Sequence, residues 1–207
     1  MTTHQIICLI LSHLVVNRGQ RGGVVKALTT SSMVNLICEE YGLPLKETGV
    51  GFKYICAEMV RGDALLGVEE SGGVALRGHI PERDGLAAGL LLLELLAGSG
   101  ATVANLLARL ERKFGPHRYG RMDLHVSREK IIKCLKRLKT SPLERLGRSP
   151  VEKVQTFDGV KFTARDGAWL MLRGSGTEPV VRIYAEGASE SAVNRLLGKG
   201  RRLLHSL

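Results

Sequence analysis

Apolar positions fall into two regimes along the chain. From Gln5 to Val16, in QIICLILSHLVV, they are nearly continuous, which predicts a buried helix. VVKAL then reads as a short strand. TTSS offers hydroxyls ahead of a helix from Met33 to Tyr41, which Gly42 and Pro44 end. The loop ETGVGFKY leads into an amphipathic piece, ICAEMV. LLGVEESGGVAL reads as an apolar strand breaking into an acidic, Gly-rich loop, and HIPERDG as punctuation with Asp84 as the N-cap of an apolar helix, Leu86–Ala97. Helices alternating with short apolar strands predict a three-layer α/β/α domain with a largely parallel sheet.

The second half has a different rhythm. Ser127 reads as the cap of a helix running to Lys139, with Ile131, Ile132, Leu135 and Leu138 on one face. Pro142 and Pro150 bracket a loop. VEKVQTF, VKFTA, AWLML and VVRIYA read as strands, with Asp158-Gly159 and Asp166-Gly167 as hairpin turns. A last helix from about Ser189 carries Val193, Leu196, Leu197, Leu203 and Leu204 on one face. This is a smaller α+β domain with an antiparallel sheet. Pro116 and the surrounding glycines mark the boundary near Gly115 to Met122, dividing the chain into residues 1–118 and 119–207.

Composition changes this picture little. At 207 residues the chain is long enough for a core. Aromatics at 4% are too few for a platform that stacks single-stranded nucleic acid. Cys8, Cys38, Cys56 and Cys134 form no C-x-x-C pair and read as reduced, mostly buried thiols. The apolar run near the N-terminus is too short to span a bilayer and lacks the flanks of a leader, so a cytoplasmic protein with no membrane partner is expected.

Charge changes it more. The formal net charge is +10, and Arg109–Arg148 holds thirteen Lys or Arg against four Asp or Glu. Such a segment is either a solvated helix face or an attractor of nucleic acid or an anionic substrate. No nucleic-acid motif accompanies it, so no nucleic-acid partner is expected.

Three loops carry candidate chemistry. Arg173-Gly-Ser-Gly-Thr-Glu178, set between two strands, has the parts of an anion cradle. Arg173 offers a guanidinium fork and Ser175 and Thr177 offer hydroxyls. Gly174 and Gly176 leave room for backbone N–H groups, and Arg182 lies two residues into the next strand. In Gly67-Val-Glu-Glu-Ser-Gly-Gly73, Glu69 and Ser71 alternate and suit bidentate bonding to vicinal sugar hydroxyls, although the stretch reads equally as a βα loop. Lys53 follows Gly49 and Gly51 and is either a phosphate or hydroxyl contact or a solvated lysine. His79 is either a proton carrier or a satisfied loop histidine. No phosphate loop of the Gly-x-x-x-x-Gly-Lys-Ser/Thr kind, no Gly-x-Gly-x-x-Gly opening a helix and no Asp-x-Asp-x-Asp metal loop occurs. From the residues alone this is a binder of phosphorylated polyols.

TTSSMVNLICEEYGLPLKETGVGFKYI, LLGVEESGGVALRGHIPERDG and LRGSGTEPVVRIYAE, in that order and spacing, resemble the α-D-phosphohexomutases, the phosphoglucomutase/phosphomannomutase family. With their flanks they cover nearly the whole chain, and the resemblance is to the third and fourth of the family's four domains. Val68 departs from the second glycine common in the sugar loop. The resemblance implies that Glu69 and Ser71 read sugar hydroxyls and that Lys53 sits in a contact loop. It further implies that Arg173, Ser175, Gly176 and Thr177 grip a phosphate; Arg182 lies beyond that motif and rests on spacing. It implies a hexose phosphate as substrate and N-terminal domains as partners in cis. Those domains would bring the phosphoserine and the Mg²⁺ loop, leaving this chain with no catalytic residue and no bound metal of its own. The alternative is a free-standing, non-catalytic phosphosugar-binding module.

Overall fold

A computed structural model describes residues 1–205 and divides the chain into two compact units, Met1–Gly115 and Pro116–Leu207. The expected division after residue 118 falls inside a strand of the second unit, described below.

The first unit opens with α1 (Thr3–Ser12). Thr2 and Gln5 close a reciprocal cap at its start, and the helix widens into a π-helical turn over His13–Asn17. Then follow β1 (Gly23–Ala27), α2 (Met33–Glu40), β2 (Leu45–Thr48), α3 (Phe52–Arg61), β3 (Ala64–Val68), β4 (Val74–Leu76), α4 (Gly85–Ser99) and α5 (Val103–Phe114). The sheet order is β2-β1-β3-β4. β1 runs parallel to both β2 and β3, and β4 returns antiparallel to β3. Every residue of β3 is buried, as expected of a strand covered on both faces. Val24, Leu66 and Val68 pack with α1, α2, α4 and α5, while Val25, Ala27 and Ala64 pack with Phe52 and Ile55 of α3. These are the three α/β/α layers. Among the described residues no single helix is long and apolar enough to cross a membrane; α4 and α5, bent by 90°, pass such a test only as a pair.

The second unit comprises β5 (Arg118–His125), α6 (Arg128–Thr140), β6 (Arg145–Leu146), β7 (Ser149–Gln155), β8 (Val160–Ala164), β9 (Trp169–Gly174), β10 (Val180–Gly187) and α7 (Glu190–His205). The sheet order is β5-β10-β9-β8-β7-β6, antiparallel throughout. Period-2 alternation sorts its faces. Val160, Phe162, Leu170, Leu172, Val181 and Ile183 meet Ile131, Cys134, Leu138, Val193 and Leu196 of α6 and α7. Two sequence expectations change here. Ile132 is 66% exposed and does not share the apolar face of α6, where Cys134 takes its place. Pro150 belongs to β7, opposite Arg145 of β6.

α5 and β5 were not expected from the pattern. α5 hides its apolar stripe, Leu106 and Leu110, among charged residues. β5 has almost no apolar alternation, yet it pairs with all eight residues of β10 through the backbone. Arg121 and Asp123, two apart on β5, lock into a bidentate pair, with Nε–Oδ1 at 2.7 Å and Nη2–Oδ2 at 2.6 Å. The Arg121 bonds, followed by the Arg121, Arg182 and His125 charges, hold the Asp123 carboxyl below its ordinary 3.8.

Two outcomes test this packing. Gly159 has φ +89°, and a Cβ there would stand 2.4 Å from the Leu172 carbonyl oxygen. Gly159→Ala is expected to lose about 2 kcal/mol or more in urea unfolding. A lowered native pKa stabilises the fold above the unfolded value and ceases to do so as pH falls through the native one. The stability gap between wild type and Asp123→Asn should therefore be full at neutral pH and close below 3.8. A gap independent of pH in acid unfolding would contradict this.

Candidate functional site

In the first unit the candidate residues lie just beyond the C-terminal ends of parallel strands, where open α/β sheets bind ligands. β3 runs into the turn Glu69–Gly73. This is a hairpin to β4 and not a βα loop, closed by Glu69 N–H to the Gly73 carbonyl and Gly72 N–H to the Glu69 carbonyl, both 3.1 Å. Glu69 is only 6% exposed, and its Oε1 accepts from the Ser71 hydroxyl at 2.6 Å and from Arg83 Nη1 at 3.3 Å. Glu69 and Ser71 do meet, as their alternation suggested, and Arg83 joins them. The Arg83 guanidinium also covers the Phe52 ring at 5.4 Å.

The end of β1 supports this turn. The Thr29 hydroxyl donates to the Glu70 carboxylate, and the Thr3 hydroxyl to the Glu70 carbonyl at 2.7 Å. Fully buried Lys26 donates to the carbonyls of Thr30 and Ser31, each at 3.0 Å, and to Asn35 Oδ1. Glu47 Oε1 of β2 stands 3.6 Å away as its counter-charge, and an ammonium so deep also needs the acceptors that the loop bends to supply. Lys53 stands in the first turn of α3, exposed, with Nζ 4.9 Å from the Tyr54 ring centre. His79 is occupied, bonding Asp84 Oδ2 at 2.7 Å. Asp84 Oδ1 caps α4 by accepting from Leu86 and Ala87. The Ala87 N–H and then His79 hold the Asp84 carboxyl below its ordinary value.

In the second unit the candidates gather at the turn joining β9 to β10. The Ser175 N–H donates to the Val180 carbonyl at 2.8 Å and closes the turn. The Ser175 hydroxyl loosely accepts from the N–H groups of Thr177 at 3.4 Å and Glu178 at 3.3 Å. Thr177 Oγ1 lies 3.4 Å from it, and the exposed Arg128 at the start of α6 reaches the Thr177 carbonyl.

Arg173 and Arg182 are direct partners in the β9–β10 register, so their side chains share a face. Arg182 is also opposite Asp123 of β5. Arg173 Nε bonds Asp158 Oδ1 at 2.9 Å. Arg182 Nε is buried and has no hydrogen-bond partner among the described residues, Asp123 Oδ2 standing 3.7 Å away. Across the sheet the row reads carboxylate, guanidinium, guanidinium, carboxylate. Two adjacent cations with an unsatisfied N–H have the chemistry to accept an anion.

The two glycines of the loop differ. A Cβ on Gly174 would stand 2.9 Å from Ile131 Cγ2, so this glycine lets the sheet approach α6. A Cβ on Gly176 would meet nothing within 4 Å. Only Gly176 fits the expectation of backbone left open for a ligand.

The sequence did not single out Arg83, Thr29 and Lys26 in the first unit, or Asp123 as a partner of Arg182. Asp158 was visible only as a turn residue. Register is the signal that brings Asp123 to Arg182, and register needs β5.

Comparison with known proteins follows this division. Residues 2–114 match the family described as phosphoglucomutase/phosphomannomutase, alpha/beta/alpha domain III, and residues 129–202 match the C-terminal domain of the same family. A phosphoglucosamine/phosphogalactosamine mutase from Sulfurisphaera tokodaii is 32% identical over 181 residues, which is 87% of this chain and 38% of the relative. A phosphoglucomutase/phosphomannomutase from Thermococcus kodakarensis is 27% identical, covering 94% of this chain and 40% of its own length. A solved structure described as a phosphomannomutase, from Thermus thermophilus, aligns over 99% of this chain and 41% of its own, with 34% identity and a TM-score of 0.79. The chain thus spans roughly two fifths of the length of the relatives it matches. It belongs to the phosphoglucomutase/phosphomannomutase family, as that family's third and C-terminal domains.

Proposed function

We propose that this chain is the sugar- and phosphate-binding half of a phosphohexomutase, an intramolecular phosphotransferase that interconverts hexose 1-phosphate and hexose 6-phosphate. In this reading an enzyme phosphoserine gives its phosphoryl group to the free C1 or C6 hydroxyl of the sugar phosphate. The bisphosphorylated sugar turns, and the phosphoryl group from the other position returns to the serine. Neither the phosphate nor the sugar contacts need change chemistry during that turn.

The observation that carries the reading is the pair Arg173 and Arg182, opposed on neighbouring strands beside the Ser175–Glu178 turn, with Arg182 Nε lacking a partner. Such a fork suits the phosphate that is not being transferred. Thr177 and Gly176 would complete the grip, with the hydroxyl and the open backbone. In the first unit, Glu69, oriented by Ser71 and Arg83, would accept from vicinal sugar hydroxyls, and Lys53 would add a cation or donor at the start of α3. A carboxylate already fixed by two donors loses little freedom on binding sugar.

Among the described residues no group of three or more His, Cys, Asp or Glu is placed to hold a metal ion. In this reading both Mg²⁺ and the phosphoserine belong to the N-terminal domains outside this chain. The contribution of this half is binding and orientation, the part of phosphoryl transfer that positions the reactant.

Calorimetric titration with glucose 1,6-bisphosphate tests the reading. Arg173→Ala is expected to weaken binding about 10- to 100-fold, the loss of about 1.5–3 kcal/mol typical of a charged hydrogen bond. Gly176→Ala is expected to weaken binding while leaving the melting temperature unchanged. Gly174→Ala should lower the melting temperature through its clash with Ile131. Wild-type affinity in Arg173→Ala would overturn the phosphate seat. A second titration separates the two loops: Glu69→Gln should weaken glucose 6-phosphate and leave inorganic phosphate unaffected, whereas Arg173→Ala should weaken both. Equal loss of both ligands in Glu69→Gln would remove the sugar role from that residue.

A further inference from the structure

The basic excess of the Arg109–Arg148 segment is not absorbed by the Arg173 loop. Part of it lines a different feature of the second unit. α7 presents Arg195, Lys199 and Arg202 at i, i+4 and i+7, one face of a helix. Between that face and the β6–β7 turn, which brings Arg148, lies a cavity of about 1060 Å³. Buried Leu146 and Leu196 form part of its wall. It has no residue in common with the Arg173–Arg182 site.

The charges of this cavity are unbalanced. Four cations line it against one carboxylate, Asp166, whose Oδ1 accepts from the Ala168 N–H at 3.2 Å. None of the four meets a carboxylate among the described residues. Lys199 Nζ donates to the Arg145 carbonyl at 2.6 Å, and Arg195 Nη1 to the Ser191 hydroxyl. Burial and then the Arg202 charge push the Lys199 ammonium below its ordinary value. A second cavity of about 450 Å³ shares Lys199 and adds Arg137, Arg145 and one carboxylate, Glu144. Like charges spaced by a helical turn repel one another. A concave surface with an excess of one sign focuses the field and concentrates counter-ions of the other. The arrangement is costly to the apo fold and suited to an anion that spreads several charges over the cavity.

We infer that this cavity binds a multiply phosphorylated small molecule, its phosphates bridging Arg148, Arg195, Lys199 and Arg202 and its less polar part lying against Leu146 and Leu196. A nucleotide or polyphosphate chain has this chemistry; Arg195 and Arg202 are seven residues apart on α7, about 10 Å of helix rise, which favours several phosphates over one.

Tripolyphosphate is the probe, titrated calorimetrically into the 207-residue chain carrying Arg173→Ala, so that the loop of the proposed function is already disabled. The expected result is saturable binding at one site in about 0.1 M salt, where charges beyond roughly 10 Å are screened. Adding Arg195→Gln and Arg202→Gln should weaken it by about tenfold or more with the melting temperature unchanged or raised, since neither side chain holds a carboxylate and their repulsion of Lys199 is removed. Adding instead Lys130→Gln and Lys133→Gln, an equal charge change on the exposed face of α6, should alter affinity by less than about twofold. The inference is overturned by absence of saturable binding in Arg173→Ala, by retained affinity in the Arg195/Arg202 variant, or by equal loss in the Lys130/Lys133 variant. It is also overturned if mixed-sequence duplex DNA binds in a way that depends on Arg195 and Arg202 and tripolyphosphate does not displace it.

Discussion

Two guanidinium groups on directly opposed positions of β9 and β10 are the constraint from which the second unit is best understood. Like charges across a strand pair destabilise a sheet. Here the repulsion between Arg173 and Arg182 is contained from outside, by Asp158 beyond one and Asp123 beyond the other. The containment is unequal. Arg173 has a true hydrogen bond at 2.9 Å, whereas Asp123 gives its short bonds to Arg121 and leaves Arg182 at 3.7 Å. The sheet therefore holds one satisfied and one under-satisfied cation side by side. That state is tolerable in a fold whose other face is a dense apolar layer under α6 and α7, and it is what a phosphate dianion would relieve.

The same logic governs the first unit at lower charge. Buried Lys26, with the Glu47 carboxylate 3.6 Å away, draws two backbone carbonyls and an Asn side chain around its ammonium, which shapes the loop after β1. That loop supplies Thr29 to Glu70, and Glu70 anchors the turn in which Glu69 and Ser71 meet. The orientation of the exposed serine is traceable, through three hydrogen-bonded steps, to a charge at the end of a central strand. Preorganisation of this kind limits the entropy lost when a polyol binds.

Much of this was legible in the sequence because it rests on local chemistry. Helix caps at Asp84 and Ser127, the hairpin turns at Asp158-Gly159 and Asp166-Gly167, and the alternation of VKFTA and AWLML follow from residue type and spacing alone. The loops bearing Glu69, Ser71 and Arg173 stood out because they concentrate polar groups between apolar strands. What stayed hidden depends on pairing over long separations. β5 is polar along nearly its whole length, and only its ladder to β10 makes it a strand. Without β5 there is no Asp123 opposite Arg182. Ile132 shows the complementary failure: periodicity admits it to the apolar face of α6, but the sheet is met by Ile131, one residue before it, and Cys134, two residues after it.

Gly174 and Gly176 show why a motif is not a single functional unit. Both belong to one stretch that sequence reading treats as an anion cradle, yet Gly174 is small because Ile131 of α6 lies against it, and Gly176 is bordered by open space. The first glycine fixes the position of the loop by allowing helix and sheet to approach. The second leaves backbone uncovered at the position so fixed. A side chain at Gly174 would move the loop, and a side chain at Gly176 would enter the open space beside it. Packing and recognition are thus separable within three residues, and the same distinction applies to the arginines. Arg121 spends its guanidinium on Asp123 and holds an edge strand, whereas Arg182, opposite that same aspartate, keeps an N–H without a partner among the described residues.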